Sequence, residues 1–441
     1  MNWYDQLLRA KRNGLRGGIE HSVLQHPSKM QDFTAKCHRG FERSQSDIID
    51  LIEQSSSMED PIFHELVARK IADAIAFTMV GTKFHLVKRM CFLPDIPQVQ
   101  LQEVKQYASV ASKLNAESRQ TFALINDLTT FIHIGDILRV DFRDGPAKLS
   151  IRELKTGEVN QKLSEIVSKY PKVMEAVDKL AFEEVALSKK EVQQAKRMLK
   201  QRIRMQQVAD AAKYDKGIDV KFQVPMRHSI KEYAPSRISE EDIGLIAEQA
   251  VRNGAAAYST DFCIHIGAGF DDSPETALQS AKNSAHYAFC STSDKFNELT
   301  EIRNELSTQV KTDDLTFGVH LIDFNLHSFP CEPWVLWPFT DEQFILIAKR
   351  KLRFILMFDL PGFFFLARKM GYSVRLSSTK EGSILQQKFG GSEIKTWDNR
   401  LVLVDEKPIG GGIFSRILAS LYSPSGMLQA ITDARKDLDD D

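Results

Sequence analysis

The sequence predicts a mixed α/β (α+β) protein: a small mixed sheet flanked by helices, then a second, C-terminal α/β domain. Three observations predict it. The 441 residues are 43% hydrophobic, which suits two or three cores at roughly 100–200 residues per domain. Short apolar runs bounded by Gly, Pro and Asp alternate with stretches of helical periodicity. A polar stretch, His228–Arg237, contains Pro235 and Ser236 and separates two such series.

Residues 1–57 form an N-terminal segment, basic near its start. It ends in the helical pattern Ile48, Ile49, Leu51, Ile52 and the linker Ser55-Ser56-Ser57. The next unit spans 58–235. Asp60 suits an N-cap and Pro61 the first helical position, so a helix runs to about Val80, where Gly81 stops it. Lys83–Leu93 reads as a strand, Pro94 and Pro97 break the chain, and residues 100–130 read as mostly helical. Phe131–Phe142 is a strand pattern, Asp144-Gly145 a hairpin signal, and Leu149–Leu154 the returning strand. Val159, Leu163, Ile166, Val167 and Tyr170 have helical spacing. A long polar helix covers Phe182–Lys213, and Val220–Val224 is a further strand.

The C-terminal domain spans 236–441. Ser239 opens a helix, with Asp242 at the capping-box spacing. Strands are expected within Phe262–Ile266, Leu315–Phe324 and Phe344–Phe358. Leu352–Ala367 is shorter than the roughly 20 residues of a spanning helix, and Asp359 and Pro361 interrupt it. It reads as a buried strand, a turn at Asp359–Gly362 and an amphipathic helix, so no membrane contact is expected. Phe329, Trp334, Trp337, Phe339 and Phe363-Phe364-Phe365 read as core.

Charge and cysteines exclude some functions. With 58 Lys+Arg against 59 Asp+Glu, the net charge is -1, which excludes binding nucleic acid by bulk charge but allows a local basic groove. Cys37, Cys91, Cys263, Cys290 and Cys331 form no CxxC pair, against a zinc ribbon or disulfide framework. The start MNWYDQLLRAKRNGLRGG has no apolar core of a secretory signal, so a reducing cytoplasm is the expected location. HExxH, GxxxxGK[ST] and GxSxG patterns are absent.

The chemistry sits on the predicted hairpin. Side chains alternate along a strand, so Glu153 and Lys155 share a face that Leu154 leaves. A two-residue turn at Asp144-Gly145 puts Asp136 opposite Glu153; a four-residue loop puts it opposite Lys155. Either register brings Asp136, Glu153 and Lys155 to one face. Two adjacent carboxylates repel, and a hard cation such as Mg²⁺ relieves that repulsion, with the Leu154 carbonyl placed as a further ligand. Such a cation polarises a phosphate and acidifies a bound water, while Lys155 orients the water and stabilises developing charge.

Gly135-Asp136 and Glu153-Leu154-Lys155 together resemble the PD-(D/E)xK, or restriction-endonuclease-like, nuclease superfamily over residues 58–225. The resemblance implies a core ordered helix, three strands, helix, strand. It implies a Mg²⁺- or Mn²⁺-dependent nuclease cutting phosphodiester bonds, with DNA the favoured substrate. Gly135 stands where the family's name has proline, a position that varies. The family often has an acid on its first helix. Glu65 is the candidate, about 60° outside the stripe Ile62, Leu66, Val67, Ile71 at about 100° per residue. Gln161 and Lys162 stand where the family often has Gln or Lys, although Gln161 points away from the apolar stripe of its helix. Lys196, Arg197, Lys200 and Arg204 on the long helix are expected to track a phosphate backbone. A homodimer or partner subunit, and a restriction or antiviral-defence setting, accompany the resemblance. The alternative reading is an inactive, nuclease-like subunit that binds nucleic acid as a sensor or assembly part.

Overall fold

The computed structural model describes residues 2–16, 30–82, 86–87, 90–91, 96–143, 147–154, 163, 188–214, 238, 240–293, 295–322, 333–389, 400–409, 414, 417–418 and 421–439. The chain divides into two units, Met1–Ser229 and Ile230–Asp441, both α+β. Among the described residues no helix is long and apolar enough to cross a membrane.

The first unit is built on a buried helix. Helices α1 (Trp3–Arg16) and α2 (Met30–Ser55) pack on each other and on α3 (Pro61–Met79). Asp60 caps α3 as expected, accepting the Phe63 N–H at 3.1 Å, an interaction worth about 1 kcal/mol. Almost every residue from Phe63 to Phe77 is buried, which marks a helix surrounded by protein rather than a surface one. Ile62, expected in its apolar stripe, is 67% exposed. Leu7, Ala10, Ile48, Leu51 and Ile52 are buried on α1 and α2, so these two helices contribute to the core of this unit.

Its sheet is a three-stranded antiparallel meander, β1 (Thr121–Ile125), β2 (Ile137–Asp141) and β3 (Lys148–Arg152). Several expectations change here. Residues 100–130 are not helical throughout: α4 (Leu101–Ala116) ends, and Thr121–Ile125 is the first strand. A short apolar run does not tell strand from buried helix. Distant side chains decide it, as Asn115 Oδ1 accepts the Ala123 N–H at 2.7 Å and Gln45 Oε1 the Ile125 N–H at 2.8 Å. Lys83–Leu93, expected as a strand, is described only at residues 86–87 and 90–91. Its described residues Leu86, Val87 and Met90 are helical and buried, at the spacing of one helix face. The strand expected over Phe131–Phe142 starts only at Ile137. Each described pairing is antiparallel, so the expected mixed sheet is corrected to an antiparallel one; Val220–Val224 lies outside the described residues.

The polar helix is α5 (Lys189–Tyr214), packed on β3. Ala195, Met198 and Leu199 face inward with Leu163, the one described residue of the helix expected over Val159–Tyr170.

The second unit centres on an antiparallel sheet in the order β4-β5-β7-β6: β4 (Ala255–Thr260), β5 (Ile264–Phe270), β6 (Thr316–His320), β7 (Leu352–Asp359). Helix α6 (Glu240–Asn253) precedes β4. Helix α7 (Pro274–Ser293) lies across β5 so closely that a Cβ on Gly267 would stand 2.0 Å from the Ala281 carbonyl oxygen. Helix α8 (Asn297–Ser307) follows. Residues 344–348, expected within a strand, belong to the helix α9 (Asp341–Ala348). The overlooked signal is a capping box between Thr340 and Gln343. The strand–turn–helix expected over Leu352–Ala367 is present: Asp359 ends β7 and caps α10 (Leu360–Lys369), accepting the Gly362 N–H at 3.0 Å. Trp334, Trp337, Phe339 and Phe363–Phe365 are buried, as expected; Phe329 lies outside the described residues. Helix α11 (Thr379–Phe389), a small sheet of β8 (Val374–Leu376), β9 (Val402–Val404) and β10 (Lys407–Pro408), and α12 (Pro424–Asp439) complete the unit.

Candidate functional site

In an antiparallel meander, the end of the first strand, the start of the second and the end of the third lie at one edge. Here those positions carry Asp127, Asp136 and Glu153. The β2–β3 register runs from Ile137↔Arg152 to Asp141↔Lys148, the register of the two-residue turn, so the next positions outward are Asp136 and Glu153. Asp136 is held from both sides. Its N–H donates to the Arg152 carbonyl at 2.8 Å, and its own carbonyl accepts the Asn126 N–H at 2.9 Å. Its carboxylate accepts the Leu154 N–H, so Leu154, expected to offer a carbonyl to a cation, also orients the acid.

Gly135 makes this approach possible. Its φ is +64, and an added Cβ would stand 2.5 Å from Ile151 Cγ2 and 2.9 Å from the Arg152 carbonyl oxygen. Proline, fixed near −65°, is incompatible with this turn. Gly135→Ala is expected to cost about 1–3 kcal/mol, from left-handed strain and overpacking. Urea unfolding reads it; an unchanged midpoint would rule out this turn.

A cleft of about 200 Å³ opens at this edge, lined by Arg69, Asp127, His133, Gly135, Asp136 and Gln201 among others. Burial, reinforced by the charge of Glu103, pushes the Asp127 carboxyl above its ordinary range; Arg69 opposes and Glu153 adds. Burial, then the charges of Asp136, Glu103, Asp127 and Glu153, raises the Tyr107 phenol. Four carboxylates therefore lie within electrostatic reach of one ring. Three of these residues escaped the sequence reading. Glu103 and Tyr107 are four apart on α4 and share a face, and Asp127 follows a strand that was read as helix.

Other expected residues fall elsewhere. Glu65 accepts from Arg69 Nη1 at 3.0 Å and is not among the residues lining the cleft. The same guanidinium donates to the Pro97 carbonyl at 2.8 Å and the Thr129 carbonyl at 2.5 Å, so Glu65 helps hold a buried arginine in the cleft wall. Lys155, Gln161 and Lys162 lie outside the described residues. On α5, Arg197 and Lys200 are exposed, while Lys196 and Arg204 are half-buried. Gln201 reaches the cleft, and Arg197 and Arg204 flank it one turn away on either side.

Among the described residues no group of three or more His, Cys, Asp or Glu side chains is placed to hold a metal ion. Asp136 and Glu153 on facing strand ends offer two hard oxygen donors, which suits a Mg²⁺-like ion that keeps most of its shell as water. No family model matches the chain, and neither a curated protein nor a solved structure matches it.

Proposed function

We propose that the first unit is a metal-dependent nuclease with a restriction-endonuclease-like core. One observation carries this reading: acids stand at three adjoining strand ends, and two of them, Asp127 and Asp136, line a cleft with Gln201 of a helix that carries the exposed Arg197 and Lys200. The order of helix α3, an intervening α4, three antiparallel strands and helix α5 is compatible with the same core.

Asp136 and Glu153 would hold Mg²⁺ or Mn²⁺. When bound, that ion supplies Lewis acidity to the scissile phosphate and acidifies a water. The Leu154 N–H fixes the Asp136 carboxylate at the end of β3. Lys155, the next residue, is proposed to orient the water and to stabilise developing negative charge. Burial favours the neutral form of Asp127, which reduces the repulsion that a third charge would add. DNA is the favoured substrate, running along Arg197 and Lys200, and a second copy or a partner subunit would allow both strands to be cut.

The test is incubation of the full chain with single-stranded DNA, double-stranded DNA and RNA, with Mg²⁺, Mn²⁺ or a chelator. Cleavage that needs the metal is expected. Salt-sensitive binding without cleavage of any substrate rejects the hydrolase and leaves the second reading, a binding subunit. That reading is favoured by the two-acid, rather than three-acid, ligand set among the described residues. Either way, Arg197→Glu with Lys200→Glu should lower the salt slope of binding by about 2, one per lost phosphate contact. An unchanged slope would place the nucleic acid elsewhere.

A further inference from the structure

Helix α10 ends on a lysine set among three rings. Lys369 Nζ lies 4.6 Å from the ring centroid of Phe365, 5.1 Å from Phe262 and 5.3 Å from Phe296. All three are within the roughly 6 Å at which a cation feels a ring's negative face. The rings wall one point. Phe262 meets Phe365 at 4.9 Å and 90°, and Phe296 at 5.3 Å and 88°. Phe365 is buried, Phe262 and Phe296 are half-buried, and Lys369 is exposed. No carboxylate pairs with Lys369 among the described residues.

The Phe262 wall is kept at a cost. Asp261 and Phe262, between β4 and β5, have φ of 52 and 61. A bulky side chain in this region is strained, and turns of this kind favour glycine. Two contacts hold the turn. The Ser425 N–H and hydroxyl both donate to Asp261 Oδ2, at 2.9 and 2.8 Å. Gly362 lets the first turn of α10 come close, since a Cβ there would stand 2.2 Å from the Phe262 carbonyl oxygen. Glycine at 262 would relieve the strain but remove the ring.

We propose that Phe262, Phe296 and Phe365 form a recognition cage for a quaternary ammonium group, with Lys369 as a displaceable resident. A primary ammonium is a strongly hydrated point charge with three donors, and ring faces are weak acceptors for them. A trimethylammonium group has no such donors and presents methyls to all three walls, the pattern by which aromatic cages select quaternary ammonium. Lys369 sits on a flexible stem at a helix end, so it can leave without unfolding α10. The shared chemistry is the trimethylammonium head, whether carried by choline or by trimethylated lysine.

The test is titration of the full chain with tetramethylammonium chloride, against sodium chloride as salt control. The wild-type cage must first expel its lysine, so Lys369→Ala is expected to bind about tenfold more tightly. Phe296→Leu in that background, which keeps apolar bulk and removes the ring, should abolish binding. Choline and free trimethyllysine in parallel arms identify the carrier by which binds. Absence of saturable binding to Lys369→Ala, or binding that survives Phe296→Leu, overturns the proposal. The wild-type chain gives a second measurement that no variant's folding affects. The ring-shifted ε-methylene resonance of Lys369 should move toward its ordinary position as tetramethylammonium is added, and a resonance that stays in place overturns the proposal equally.

Discussion

Asp136→Asn is expected to remove metal-dependent cleavage, by about 10²–10³ at least, while leaving the unfolding midpoint nearly unchanged. The side chain is isosteric, and its remaining carbonyl oxygen still accepts the Leu154 N–H that orients it. The backbone bonds to Arg152 and Asn126 do not involve the side chain at all. What is lost is charge. Two facing carboxylates attract a divalent ion through their summed charge, and an amide beside one carboxylate does so far less. Glu153→Gln should match it, and the pair together should be little worse than either, because ligands of one ion act as a unit. Single-turnover cleavage measured beside urea unfolding checks both halves. Wild-type cleavage by Asp136→Asn would place the chemistry elsewhere. Lost cleavage with a collapsed midpoint would make Asp136 a structural residue.

The parts that the sequence made legible are those specified by neighbouring residues. Asp60-Pro61 at the start of α3, Asp359-Leu360-Pro361-Gly362 at the start of α10, and the hairpin joining β2 to β3 each combine a cap or turn signal with an apolar run. The hairpin signal leaves two registers open, with Asp136 opposite Glu153 or opposite Lys155, and the observed pairing is that of the two-residue turn. The parts that escaped depend on distant partners. Thr121–Ile125 becomes a strand because β2, Gln45 and Asn115 satisfy its backbone, and none of these is adjacent in sequence. With that strand hidden, Asp127 was hidden as well. Glu65 illustrates the opposite error. Its helix position was compatible with the sheet edge, but a buried Arg69 four residues later claims it. Helical geometry alone carries no information about which cation will be buried beside an acid.

Arg303→Met in the second unit is expected to destabilise the chain by about 3–5 kcal/mol, because it strands a buried carboxylate. Asp359 is 1% exposed. Its Oδ1 accepts from Arg303 Nη2 at 2.8 Å and from Thr316 Oγ1 at 3.1 Å, while Oδ2 accepts the Gly362 N–H. Arg303 also lies 4.9 Å from the Phe289 ring centroid, and methionine keeps much of that apolar contact. The charge effect has a pH signature. Burial holds the Asp359 carboxyl above its ordinary range even with Arg303 opposing. A raised acid adds stability that is complete below the ordinary carboxylate range and disappears as pH rises through the folded value. Without Arg303 that value rises further, so the variant loses more on going to higher pH. His265 works in the same direction. Burial, then Arg303, pushes it down to about 4. Keeping this imidazole neutral costs stability as pH falls from about 6.5 toward the folded value, and removing Arg303 lessens that cost. The deficit of Arg303→Met should therefore be largest near about pH 8 and smaller near about pH 5, read as the difference between two urea titrations at each pH. Arg303→Met with Asp359→Asn, which keeps the acceptor for Gly362 but removes the charge, should recover much of the loss and flatten the pH dependence. An equal deficit at both pH values would mean that lost packing, and not an uncompensated carboxylate, is what Arg303 prevents.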